Sequence, residues 1–212
     1  MRTLHIPAWG AGVLALLCAC HRSPSRPASS SASAAPSSLA AQSHPTHVDS
    51  FVPRELALER FRKGGTRVVE LAHAEKSRDA LVRAFVHALE RRDTAEFRRL
   101  IVSRDEFAWL FYPTSAQGLP PYSLNPDLMW FMMVEQGNQG LRRALNRLGG
   151  KHLAYVGYRC EGAALKEGEN MLWGPCLVRL EEAPGDTAEA RLFGPILQRD
   201  GRFKFLSYSN KL

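Results

Sequence analysis

The hydrophobic period of this sequence changes once, and the change orders the whole fold. Up to Leu148 apolar residues recur at helical intervals; from His152 they alternate at a period of two. Helices therefore come first and strands second, which predicts an α+β domain with its helices packed on an antiparallel sheet. Residues 77–92 carry Leu81, Phe85, Ala88 and Leu89 on one stripe, with Arg78, Arg83, His87 and Arg91 elsewhere. Asp93-Thr-Ala-Glu96 then has capping-box spacing, and Phe97, Leu100 and Ile101 follow at helical intervals. Residues 105–111 extend this second helix until Pro113 stops it, and 118–125, with Pro120 and Pro121, is loop. Residues 127–136 are apolar nearly all round, the pattern of a buried helix. Leu141, Leu145 and Leu148 make a last stripe closed by Gly149-Gly150. Upstream, 53–63 suggests helix and 66–71 a short strand.

Four strands are predicted, at 152–160, 171–180, 189–198 and 203–209, joined by turn chemistry. Asp200-Gly201 is the strongest hairpin signal among these turns. Leu172-Trp-Gly-Pro175 and Leu192-Phe-Gly-Pro195 repeat one pattern in neighbouring strands. Proline cannot donate to a ladder and glycine weakens it, so the repeat marks two bends side by side. The Asp200-Gly201 register puts Phe193 and Leu197 on one face with Leu206 and Tyr208, and Ile196 opposite Phe205 on the other. Both faces are apolar, so residues 51–71 or a second copy of the domain should cover the second.

Before the domain the sequence reads as an address. Arg2 and His5 precede a short uncharged run that is too short to span a bilayer, the layout of a secretory signal. Its end, Leu17-Cys18-Ala19-Cys20, resembles the bacterial lipobox. The resemblance implies cleavage before Cys20 and lipidation of Cys20, with 1–19 as the signal peptide. In 20–49 a tether follows: of the 25 residues at 23–47, 19 are Ser, Ala or Pro, a composition that cannot offset its ordering entropy. His21 stands where lipoproteins held in the inner membrane commonly carry Asp, which implies outer-membrane anchoring facing the periplasm. The partner is then the membrane, through the anchor, with a protein partner or a homodimer as further expectations. His44 and His47 lie in this Pro-containing coil without fixed geometry and offer no metal site.

With Cys18 removed and Cys20 lipidated, Cys160 and Cys176 remain, in an oxidising compartment. They are symmetric about Gly168, in the turn between the first two strands, so they face each other across the ladder and predict a disulfide. The same register sets Tyr158 against Val178 and Val156 against Leu180.

The net charge is +7, but Arg91-Arg92 and Arg98-Arg99 are interleaved with Glu90, Asp93, Glu96, Asp105 and Glu106. That is a solvated helical face, and nucleic acid is not an expected partner. Residues 50–212 form one domain. Its order of helices, then four long strands, then Arg199-Asp-Gly-Arg-Phe-Lys-Phe-Leu-Ser-Tyr208, resembles the NTF2-like, cystatin-like cone fold. A ferredoxin-like sandwich is the alternative topology. The resemblance implies a curved sheet enclosing an apolar pocket, with Trp109, Tyr112, Trp130, Met133, Tyr158, Trp173 and Phe193 as candidates to line it. Enzymes of this superfamily place an acidic or histidine base there, and Asp105, Glu135 and His152 are the available groups. No nucleophile motif, phosphate loop, cofactor signature or zinc spacing is present, and none of the three sits in a motif that assigns a catalytic role. The expected function is a non-catalytic binding or scaffold domain with an unidentified ligand. The alternative is a small-molecule lyase or isomerase acting on an apolar substrate.

Overall fold

The computed structural model describes residues 52–212. Cys20, the signal peptide and the tether lie outside the described residues. The described chain is α+β, with five α-helices and seven strands in two antiparallel sheets.

The helices are α1 (Arg54–Arg62), α2 (Arg78–Arg91), α3 (Thr94–Leu100), α4 (Arg104–Glu106) and α5 (Pro126–Leu148). Ser77 caps α2 by accepting from the Ala80 amide, and Asp93 caps α3 by accepting from the Glu96 amide. Arg92, between them, takes a left-handed conformation that lets the chain turn back at once. The reciprocal capping box forms one helix later, at Ser103 and Glu106 on α4. The predicted extension at 105–111 is therefore separate from α3: Val102 donates its amide to Phe205, and the helix that follows widens into a π-turn at Phe107–Phe111. Residues 66–71 form no strand; Leu71 is buried there, and Glu75 pairs with Phe203 instead.

The strands are β1 (Ala154–Cys160), β2 (Leu165–Glu167), β3 (Asn170–Trp173), β4 (Cys176–Ala183), β5 (Asp186–Ala190), β6 (Ile196–Arg199) and β7 (Arg202–Phe205). One sheet has the order β1-β4-β5 and the other β2-β3-β6-β7. β1, β3–β4, β5–β6 and β7 fall on the four predicted runs in their predicted order, whereas β2 forms in a stretch expected to be connection. The two middle runs are broken side by side. The breaks fall at Gly174-Pro175 and Gly194-Pro195, and a Cβ on Gly174 would rest 3.4 Å from Pro195 Cα. Each long strand therefore leaves one sheet and enters the other where its proline removes a ladder donor.

Cys160 and Cys176 are direct partners in the β1–β4 register and form a disulfide, their Cα atoms 3.9 Å apart. Tyr158 faces Val178 as expected, but Leu180 faces Tyr155 rather than Val156. A bulge between Tyr155 and Gly157 absorbs one residue and turns Val156 outward.

Two apolar clusters sandwich the four-stranded sheet. The first joins α2, α3 and the end of α5 to Phe193, Ile196, Phe203, Phe205 and Tyr208. Its centre is a ring set of Phe85, Phe97, Phe193, Phe205 and Tyr208, in edge and tilted contacts. The second joins Leu58, Phe61 and Leu71 to the 107–112 helical turns and to Leu197 and Leu206. Phe193 and Tyr208 thus share a face with Ile196 and Phe205, not with Leu197 and Leu206, because the chain turns over at Gly194-Pro195. The second face is covered from within the chain, partly by residues of the 51–71 segment.

Helix α5 is longer and less buried than its pattern suggests. It runs through Gly137 and Gly140, whose missing side chains admit the Tyr208–Ser209 backbone. A Cβ on Gly140 would overlap the Tyr208 carbonyl. Phe131 is 62% exposed, and Leu128 and Met132 are exposed beside it.

Candidate functional site

The most apolar of the described cavities is a groove of about 450 Å³ between α3, the 101–104 link and α5. Three local events build it. Asp93 stops the α2 turn and starts α3, which presents Thr94, Phe97 and Arg98 on one side. The extended Ile101–Val102 step, pinned to Phe205, holds Ile101 open toward the groove instead of winding it into a helix. The glycines of α5 bring that helix close to the last segment, so Trp130, Val134 and Leu141 form the facing wall.

Its floor is apolar, with Tyr208 at the base. The Tyr208 hydroxyl donates to the Phe97 carbonyl at 2.7 Å, and burial pushes its ionisation far above the ordinary range. This hydroxyl is a fixed donor, not a proton shuttle. Two cations stand at the rim: Arg98, which is exposed, and Arg104, which stacks over the Phe61 ring 4.0 Å away. The lining residues are apolar, hydroxyl, amide or arginine; no carboxylate or imidazole is among them.

Of the seven predicted lining residues, Trp130 lines this groove. Tyr112 lines a separate cavity of about 160 Å³ at the start of α1 and donates its hydroxyl to the Leu124 carbonyl. Phe193 is wholly buried in the first cluster, and Tyr158 and Trp173 pack at its edge. Trp173 donates to Gln198 and lies under Arg78, whose guanidinium is 3.7 Å from the ring centre. Trp109 is stacked under Arg62 at 3.8 Å, and Met133 packs beside the second cluster. These seven do not converge on one cavity. The Phe85 ring set fills the space against one face of the four-stranded sheet.

The three candidate bases also stand apart. Asp105 accepts from the Thr66 amide and fixes the turn at 64–66. Glu135 lies on α5. His152 is highly exposed, with Nδ1 3.1 Å from Glu90 in a polar cleft of about 330 Å³ between α2 and β1. His87 reaches the other oxygen of Glu90 at 3.2 Å. The backbone amide of Leu153, donating at 2.7 Å, holds the Glu90 carboxyl below the usual carboxylate range, with both histidines adding to the effect. His87 and Glu90 were not singled out by sequence; their one signal is i,i+3 spacing on α2.

The buried ionic centre is elsewhere again. Glu106 and Lys204 meet at 2.9 Å, nearly inaccessible, between α4 and β7. Glu106 also accepts from the amides of Ala72 and Ser103. All its bonds are structural, and they tie the 51–75 segment to the last strand. Groups of His, Cys, Asp and Glu arranged to hold a metal ion are not found among the described residues. In comparisons with known proteins, no family model, no curated protein and no solved structure matches this chain.

Proposed function

We propose that this chain is an envelope lipoprotein, anchored through Cys20 in the outer membrane, whose domain binds an apolar ligand carrying an acidic group. The observation that carries the reading is the groove between α3 and α5, an apolar floor with arginines at its rim. Apolar walls with few polar groups hold a small molecule by burial, and an arginine orients a carboxylate or phosphate at the end. A lyase or isomerase needs a base within hydrogen-bond reach of its substrate. What lines the groove instead is equipment for holding. The lipobox-like sequence at Cys20 and the Ser/Ala/Pro composition of the tether support the anchored location. The succession of helices and four bent antiparallel runs supports an NTF2-like cone whose concave pocket has been filled with aromatic rings, leaving the outer helical groove as the site.

Titration of the mature protein with cis-parinaric acid, a fluorescent fatty acid, tests this. Saturable emission enhancement is expected, together with quenching of Trp130. Val134→Trp fills the groove and should weaken binding at least about tenfold, the loss that follows when roughly 1.4 kcal/mol of contact is removed. Equal binding by the Val134→Trp protein would refute the groove as the site.

A further inference from the structure

We infer that the apolar surface made by Leu119, Tyr122, Leu128, Phe131 and Met132 docks the domain flat against the bilayer that holds its anchor; this rests on the reading of Cys20 as lipidated. Leu128, Phe131 and Met132 lie at i, i+3 and i+4 on the outer stripe of α5, and the loop that feeds this helix adds Leu119 and Tyr122. Tyr122 is 73% exposed and Leu128 48%. Isolated exposed apolar residues are ordinary, but five at one end of a helix form a surface that water solvates poorly.

The occupant is indicated by where the chain enters the domain. Val52 and Arg54 line one cavity together with Ser123, Asn125 and Pro126, the residues that begin α5. Arg54 donates to the carbonyls of Gly118 and Pro113 at 2.7 Å each, which fixes the start of α1 to the same loop. The segment arriving from Cys20 therefore joins the folded body beside the apolar surface. Between Cys20 and Val52 there are 31 residues, a contour length of up to about 100 Å, enough for an anchored lipid to reach this end of the domain.

The residue types match a membrane interface. Phenylalanine, leucine and methionine enter the acyl boundary, and tyrosine sits at headgroup level. Among the described residues no helix is long and apolar enough to cross a membrane, and the proposed contact is lateral. The positive net charge adds attraction to anionic headgroups. Asn138, seven residues after Phe131 on the same side of α5, lines the groove, so docking brings the groove's lip to the lipid surface.

The test uses the full chain, processed in cells and reconstituted into phosphatidylethanolamine and phosphatidylglycerol vesicles containing brominated acyl chains. With Cys20 acylated and Cys160–Cys176 bonded, Phe131→Cys supplies a single free thiol for a bimane label. The reference site is Thr187→Cys, an exposed β5 position next to Ala188, which lines a cavity with Arg147 and Leu148 at the far end of α5. Bromine quenching at Phe131→Cys should exceed that at Thr187→Cys by at least about threefold, as expected for a group below the headgroups. Leu128→Cys, labelled in the same way, repeats the measurement independently of any folding defect in the first variant. Retention through an alkaline wash, lost in Cys20→Ser, reads the anchor separately. Retention with equal quenching at both sites overturns the docking and leaves the anchor standing. A blue-shifted label that bromine does not quench also overturns it, since a second copy or another protein then covers the surface. Loss of the unmodified chain in the wash overturns the anchor and the docking together.

Discussion

Glu106 and Lys204 show at the residue scale how the two ends of the domain are locked together. Lys204 is on β7, Glu106 starts the helical turns that cover the sheet, and Ala72 adds the preceding segment. Breaking such a pair leaves a buried charge without its counterion. Glu106→Gln should destabilise the domain by about 3–5 kcal/mol, and adding Lys204→Met should restore part of that loss. Denaturant unfolding of the wild type, both single variants and the double variant checks this; additive losses would show that the two side chains are not coupled. Glu90 gives a second residue-level expectation. Its carboxyl is held low in the folded state, so its contribution is present above the ordinary carboxylate value and lost as pH falls through the folded one. Stability should therefore decline below about pH 4.5, and Glu90→Gln should flatten that decline. Glu96, held low by Arg99, keeps part of the slope in the variant. A melting curve against pH that Glu90→Gln leaves unchanged would remove Glu90 from the account.

At the scale of elements, legibility followed the cause of each feature. The cap of α3 and the disulfide register were readable because short-range chemistry sets them. The Gly-Pro repeat was readable as bends, though not as the seam between two sheets, which depends on both strands breaking together. Helix α5 misled for a physical reason. Gly137 and Gly140 are packing surfaces for Tyr208 and Ser209, about 70 residues away in sequence, which periodicity cannot show. The apolar run at 128–133 looked buried because periodicity does not say which side of a helix has a neighbour. The groove was not legible, since α3 and the 101–104 link meet α5 only through tertiary packing. The disulfide closes a loop with a sequence separation of 16, for which chain entropy gives up to about 3 kcal/mol. Cys160→Ala/Cys176→Ala should lower the melting temperature by roughly 5–10 °C. An unchanged melting temperature would leave the bond without a stabilising role.

Across the described domain, a four-run antiparallel meander is folded over at two Gly-Pro steps, with helices on both sides of its larger half. One side is closed by the Phe85 ring set and the other by α1 and the 107–112 turns. The open apolar space lies outside the sheet, between α3 and α5. Binding in that groove is the central claim. Native mass spectrometry of the chain, purified from cells without denaturant, tests it most directly. The account predicts a bound acidic amphiphile on the unmodified protein, and its loss from Val134→Trp at an unchanged melting temperature. A protein isolated with no bound molecule, which takes up none when acidic amphiphiles are supplied, would contradict it.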